Sequence, residues 1–256
     1  MDRAKLASLH DMTGRVAIVT GGTRGIGRSV AEGLVASGAK VVVASRKLDA
    51  CAETEAHLAA MGGEALGVAT HLGDLDSLQE LVARTVDRFG AIDVVVNNAA
   101  NALAQPLGQM TPEAWDKSFA VNLRGPVFLV QEALPHLEAS DHAAVLNVIS
   151  VGAFMFSASV AMYAAGKAAL FSFTRSMAAE FAPKGIRVNA LAPGTVNTDM
   201  VRNNPPEVQD VMASIALLKR MAEPDEMVGP ALLLLSDAGS FVTGQVVVAD
   251  GGSVPY

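Results

Sequence analysis

The stretch that most restricts the fold lies near the start of the chain. Val16 to Thr20 is a short β-rich run, followed at once by G-G-T-R-G-I-G, Gly21 to Gly27, and then an apolar-periodic segment to Ser37. Strand, glycine turn and helix in immediate succession open a βαβ unit and are the setting that a dinucleotide site demands. The glycines allow a tight turn and let backbone N–H groups approach a pyrophosphate, while the helix N-terminus supplies partial positive charge. Gly21, Thr23, Arg24, Gly25, Ile26 and Gly27 are therefore candidate cofactor contacts. The competing reading is a glycine turn that binds nothing.

The same alternation continues down the chain. Strands are predicted at Lys40–Ala44, Ala65–Thr70, Ile92–Val96, Ala143–Ile149, Arg187–Ala192 and Gln245–Ala249, with helical segments between them. Ser77-Leu78-Gln79-Glu80 has capping-box spacing and predicts a helix start. Thr111-Pro112 caps and begins a long helix that ends near Leu137. Asn122, between Val121 and Leu123, is then either a kink-filling structural group or part of a site. Alternating elements with continuous apolar strands predict an α/β fold, one parallel sheet flanked by helices, with no repeats or linkers. We expect a single domain over residues 1–256, with residues 1–13 as an extension and residues 197–216 as a flap over the substrate.

After the second strand, an NAD site usually carries an acid that binds the ribose 2′-hydroxyl. Here the residues are Ser45-Arg46-Lys47. A guanidinium grips a 2′-phosphate where a carboxylate repels it, and Arg24 can reach the same group. NADP(H) is thus favoured over NAD(H), unless Arg46 and Lys47 are simply solvated charges. Further on, Asn97-Asn98-Ala99-Ala100 lets a cofactor lie close, and Pro193-Gly194-Thr195 breaks the chain where a cofactor ring could sit.

Tyr163 and Lys167, four apart at the head of an apolar helix, project into one space. A phenol has a pKa of about 10, so ionising it at neutral pH costs roughly 4 kcal/mol. A nearby ammonium and the helix N-terminus are expected to lower that pKa and poise the phenol for proton transfer. Ser150, at the end of the fifth strand, can hydrogen-bond a substrate oxygen. Pocket walls are expected from Phe154, Met155 and Phe156, with Asn101, Leu103, Thr195 and Met200.

Composition narrows the partners. A net charge of −7 argues against nonspecific nucleic-acid binding. No apolar run reaches the ~18 residues of a membrane span, and Met1–Thr13 has no secretory h-region. One cysteine, Cys51, fits a reducing compartment, so we expect a cytoplasmic protein. Five histidines without an H-x-x-x-H pair make a catalytic zinc site unexpected, and no metal is assigned.

Together, T-G-G-T-R-G-I-G at 20–27, N-N-A-A at 97–100, Asn122, Ser150, Y-A-A-G-K at 163–167, P-G-T-V-N-T at 193–198 and D-G-G at 250–252 resemble the short-chain dehydrogenase/reductase family, from about Gly14 to Gly252. The resemblance implies a Rossmann-like doubly wound seven-stranded sheet in the order 3-2-1-4-5-6-7. It implies a tetrad of Asn122, Ser150, Tyr163 and Lys167, in which Tyr163 donates a proton, Ser150 polarises the carbonyl, Lys167 holds the nicotinamide ribose and Asn122 holds a relay water. It also implies that Val196 and Thr198 hold the carboxamide, that Asn98 contacts the adenosine-side ribose, and that the protein is a homotetramer. Basic residues like Arg24 and Arg46 go with NADP(H) in this family. His71 stands where the family often has an adenine-binding Asp, followed by Leu72; it can stack on or donate to adenine, or simply be exposed. The H-L-G, N-A-A-N and S-V-G-A runs resemble the branch of NADP-dependent carbonyl and retinal reductases, although the chain ends V-P-Y, not in an S-K-L-type address.

The expected activity is hydride transfer between NADP(H) and a carbonyl or secondary alcohol of a small, mostly apolar substrate. The alternatives are a 3-oxoacyl-carrier-protein reductase, which should show basic residues at the site mouth, and a non-catalytic cofactor sensor, which should have lost Tyr163 or Lys167.

Overall fold

The structure is a computed structural model and describes residues 1–254. Its elements run in the order α1 (Arg3–Ser8), β1 (Val16–Thr20), α2 (Gly25–Ala36), β2 (Lys40–Ser45), α3 (Leu48–Ala60), β3 (Ala65–Ala69), α4 (Leu75–Phe89) and β4 (Val94–Asn97). They continue with α5 (Pro112–Phe119), α6 (Gly125–Glu138), β5 (Ala144–Val148), α7 (Ala161–Phe181), β6 (Arg187–Pro193), α8 (Asp199–Arg202), α9 (Pro206–Ile215), α10 (Val228–Leu235) and β7 (Val246–Ala249). The seven strands form one sheet in the order β3-β2-β1-β4-β5-β6-β7, and every pairing is parallel.

The strands are apolar on both faces because each face is covered. Ala17 and Val19 of β1 pack with Val41, Val43, Val94 and Val96 against Val30, Leu34 and Val35 of α2 and Leu234 and Leu235 of α10. The alternate residues Ile18, Val42, Val95 and Val145 face Leu78 and Leu81 of α4, Leu129 and Val130 of α6, and Met177 of α7. This two-sided burial explains why the strands read as unbroken apolar runs without polar alternation. Each fully buried Leu or Val contributes about 1.5–3 kcal/mol. Polar side chains join the layers as well: Asn97 Nδ2 donates to Asn147 Oδ1 (2.9 Å), and Asn147 Nδ2 donates to Thr174 Oγ1 (2.9 Å) on α7.

Two local expectations are corrected. α4 starts at Leu75, capped by Asp74, whose carboxylate accepts from the Asp76 N–H. Ser77 therefore lies inside the first turn, and its Oγ accepts from the His71 N–H at 3.0 Å. The Ser77–Glu80 spacing was a coincidence of composition; an Asp three residues earlier reached the free N–H groups first. The second correction concerns residues 112–138. They form a helix interrupted by a single wide turn of π type at Ala120–Arg124, centred on Asn122. Such bulges recur at functional sites. The Thr111 cap holds, with Oγ1 accepting from the Ala114 N–H.

The strand order reverses between β1 and β4, which is where an open α/β sheet leaves a crevice at its C-terminal edge. Residues 197–216 follow the C-terminal end of β6 and carry two short helices, α8 and α9.

Candidate active site

A cleft of about 900 Å³ opens along the C-terminal ends of the strands. That is near the top of the roughly 300–1,000 Å³ range of small-molecule sites. Its walls are Gly21, Thr23, Arg24, Gly25 and Ile26 after β1, Ser45 and Arg46 after β2, His71 and Leu72 after β3, and Asn98 after β4. Ser150 enters after β5, Tyr163 and Lys167 from α7, and Pro193, Gly194, Val196 and Thr198 from the end of β6. Residues as far apart as 21 and 198 thus share one cavity.

Three residues expected at the cofactor or the chemistry do not line it. Lys47 is exposed and precedes α3. Gly27 lies behind the turn, where a Cβ would fall 2.3 Å from Asn98 Nδ2 and 2.4 Å from Gly21 O. Its lack of a side chain serves packing of the turn against β4. Asn122 is wholly buried, and its amide is committed. Its Oδ1 accepts from the Asn101 N–H (3.1 Å), and its Nδ2 donates to Asn101 O (2.8 Å), Asn101 Oδ1 and Ser118 Oγ. The side chain therefore anchors the segment after β4; a water held at this position has to use the main chain.

The glycine turn is shaped for close approach. Gly21 has φ +65°, and a Cβ there would meet Ala99 Cα and Asn98 Nδ2 at 2.9 Å. Asn98 clamps the turn, with Nδ2 donating to Thr20 O (2.9 Å) and Gly21 O (3.3 Å). Thr20 Oγ1 accepts from the Asn98 and Ala99 N–H groups in return.

Five basic side chains line the cleft (Arg24, Arg46, Lys117, Arg124 and Lys167) against two acidic ones (Asp116 and Asp199). In a chain of net charge −7, this is a local excess of positive charge. Arg46 has no hydrogen-bond or ion-pair partner among the described residues. Arg24 Nη1 lies 3.2 Å from Asp199 Oδ2, and Arg124 Nη2 donates to Gly73 O at 2.8 Å. His71 Nδ1 accepts from the Gly73 N–H (3.1 Å), which places the proton of a neutral ring on Nε2.

At the other end of the cleft, Tyr163 occupies the first turn of α7, with the Lys167 ammonium 5.8 Å from its ring centroid. The outcome differs from the expected acidification. Burial pushes the Tyr163 phenol up, and a hydrogen bond with Ser150 opposes that rise. Lys167 is 2 % exposed. Its Nζ donates to Val148 O at 2.7 Å, and burial lowers its pKa to about 8. Gly166, between the two, puts α7 against the wide turn; a Cβ there would lie 3.2 Å from Asn122 Cβ. Ser150 Oγ accepts from the Gly152 N–H (3.1 Å), which fixes it at the strand end.

The expected pocket walls divide. Asn101, Leu103 and Met200 line the cleft. Phe154 instead packs edge-on against Phe171, with ring centroids 5.6 Å apart. Phe156 is 94 % exposed, Met155 is also exposed, and neither lines the cleft. Thr195 belongs to a separate depression with Arg220 and Glu226. Apolar character identified these residues but not their direction. Conversely, Asp199 and Arg124 line the cleft without having been expected there. Only Asp199 left a local trace, as an acid in the first turn of a helix after Thr198.

Residues 21–253 match the family model described as enoyl-(acyl carrier protein) reductase. Human dehydrogenase/reductase SDR family member 4 is 35% identical over 245 residues, 94% of this chain and 88% of that protein. The 3-oxoacyl-[acyl-carrier-protein] reductase of Synechocystis is 37% identical over 248 residues, 96% of this chain and 99% of the relative. Among solved structures, a 3-oxoacyl (acyl-carrier-protein) reductase from Agrobacterium tumefaciens C58 with NADP bound superposes with a TM-score of 0.90 at 35% identity, covering 96% of this chain and 97% of that one. A short-chain type dehydrogenase/reductase from Mycobacterium marinum gives 0.92 at 30% identity, covering 97% and 99%.

Proposed function

The chain belongs to the short-chain dehydrogenase/reductase family and is an oxidoreductase of alcohol and carbonyl groups; from that premise we propose that it uses NADP(H) on a small, mostly apolar substrate. The observation that carries this reading is the convergence of Ser150, Tyr163 and Lys167 at one end of a cleft whose other end holds the glycine turn, Arg24 and Arg46.

The walls fit a phosphorylated dinucleotide. Gly21 and Gly25, both with positive φ, pack against Asn98, Ala99 and Thr198 and so shape the turn that would face a pyrophosphate. Arg46, with its guanidinium uncommitted, and Arg24 are the groups for a 2′-phosphate, for which they fit better than for a ribose hydroxyl. Val196, Thr198, Pro193 and Gly194 would hold the nicotinamide end, and Asn98, His71 and Leu72 would border the adenosine end. The cofactor, when bound, supplies or accepts the hydride.

The chain's own residues handle the oxygen. Tyr163, kept protonated at neutral pH by burial, donates its phenolic proton to a carbonyl oxygen as negative charge develops there. Ser150 donates a hydrogen bond to the same oxygen and orients it. The Lys167 ammonium stabilises the phenolate that remains and steadies a ribose hydroxyl. In the direction of oxidation the phenol must first lose its proton, so reduction should dominate at neutral pH and oxidation should gain as pH rises. Asn122 acts on position, by fixing Asn101. Leu103 and Met200 give the substrate end an apolar lining.

A reductase of carrier-bound acyl chains is the second reading, favoured by the relatives of that name. Arg202, the basic residue of the flap, is held by Asp199, so the flap itself offers an acidic carrier no uncommitted cation. A homotetramer is the proposed assembly, on family resemblance. Cytoplasmic location is proposed from the single cysteine, which is buried. Among the described residues, no helix is long and apolar enough to cross a membrane.

The test is purified protein with NADPH or NADH and a panel of ketones, including free and carrier-bound 3-oxoacyl substrates. Turnover of simple ketones with NADPH supports the reading. Tight NADPH binding with no turnover of any carbonyl sinks it in favour of a sensor.

A further inference from the structure

The flap and the glycine turn meet at two points. Thr198 Cγ2 lies against Gly25, and the Asp199 carboxylate lies against the Arg24 guanidinium, 175 residues away in the chain. Asp199 is held in place from its other side. Its Oδ1 accepts from Arg202 Nη2 at 2.7 Å, while Arg202 Nη1 donates to Asn197 O (2.9 Å) and to Asn197 Oδ1 (3.1 Å). Oδ2 is thereby aimed across the cleft at Arg24, 3.2 Å from Nη1. Both guanidiniums lower the carboxyl pKa, Arg202 chiefly, so the carboxylate is charged at neutral pH.

Arg24 is one of the two groups assigned above to a 2′-phosphate, and Arg46, the other, has no competing partner. We propose that Asp199 is a specificity-determining residue for the cofactor: it engages Arg24, so that a 2′-phosphate must compete with a carboxylate for that guanidinium, whereas a 2′-hydroxyl meets no such competition. The inference rests on the NADP(H) reading. The competition is mild, because the pair is open to water, with side chains 73% and 43% exposed. The dianionic phosphate still wins, as the doubly charged acceptor. Asp199 thus narrows the gap between the two cofactors and ties the seating of α8 to which of them is bound.

The experiment is fluorescence titration of NADPH and NADH on the full protein and on Asp199→Asn, Arg24→Met and the double variant. Asp199→Asn should tighten NADPH by about threefold and leave NADH unchanged. Arg24→Met should weaken NADPH by roughly tenfold. In the Arg24→Met background, Asp199→Asn should lose its NADPH-selective effect. Equal tightening of both cofactors by Asp199→Asn, or tightening that persists without Arg24, overturns the inference and leaves the NADP(H) reading standing. If the unaltered protein binds the two cofactors equally and Arg24→Met changes neither, the NADP(H) reading itself falls and takes this inference with it.

Discussion

The two ends of the sheet handle positive charge in opposite ways. At the N-terminal edge, Arg15 is buried and bound to Asp237 (2.8 Å). Beside it, Arg187 donates to Leu234 O (2.7 Å), Leu235 O (3.2 Å) and Ser236 O (3.1 Å), the open carbonyls at the end of α10. Each guanidinium is spent on the protein itself. At the C-terminal edge, Arg46 has no partner among the described residues, Arg24 has one solvent-exposed carboxylate, and Lys167 is buried with a single backbone carbonyl. The residue types are alike; their saturation is not. A cation whose hydrogen bonds are filled holds a fold together, and one left short is held ready for a ligand.

Three changes test that contrast. The largest effect belongs to the phenol: Tyr163→Phe should lower kcat about a thousandfold, the loss of a positioned proton donor, while NADPH affinity in a binding titration stays within about twofold. The next sets the edges against each other. Arg187→Met leaves the end of α10 without donors and should cost roughly 2–4 kcal/mol in urea unfolding. Arg46→Met should change stability by less than about 0.5 kcal/mol yet weaken NADPH roughly tenfold. Equal stability losses at both positions would erase the distinction.

The smallest effect is the most diagnostic. Lys167 titrates at about 8 in the folded protein against 10.5 in the unfolded chain. Below pH 8 both states carry the proton, and the folded state bears the full cost of a buried charge, roughly 3 kcal/mol. From pH 8 to 10.5 only the unfolded chain holds the proton and the cost fades; above 10.5 it is gone. Lys167→Met removes that cost but also a hydrogen bond to Val148 O worth about 1 kcal/mol. The variant should therefore be inactive yet more stable by about 1–2 kcal/mol at pH 7, with the gain vanishing before pH 10.5 and turning into a loss of about 1 kcal/mol above it in parallel urea melts. A variant less stable than its parent at pH 7 would show that Lys167 is structural.

Most of the site was legible in the chain because its signals are local. The Gly21–Gly27 turn follows its strand directly, and Tyr163 and Lys167 lie one helical turn apart. What misled was equally specific. Ser77 had the spacing of a cap, but Asp74 is nearer the first free N–H groups. Phe154 and Phe156 had the character of a pocket wall, but one is packed on Phe171 and the other faces water. Asn122 left two options open; its four amide hydrogen bonds make it an anchor for residue 101, and the wide turn around it has a local cause in Gly125-Pro126, since Pro126 has no N–H to donate back to residue 122.

The succession of strands and helices along the chain, the glycine turn and the spacing of phenol and amine are properties of neighbouring residues, so short-range sterics and periodicity determine them from the amino acids alone; the order of the strands within the sheet came only as an implication of the family resemblance. Which cations are saturated, which way burial drives the phenol and the amine, and the reach of Asp199 to Arg24 depend on contacts between segments far apart in the chain. Solvation and charge pairing are set by everything within a few ångströms, whatever its place in the sequence, and only the folded chain decides what that is.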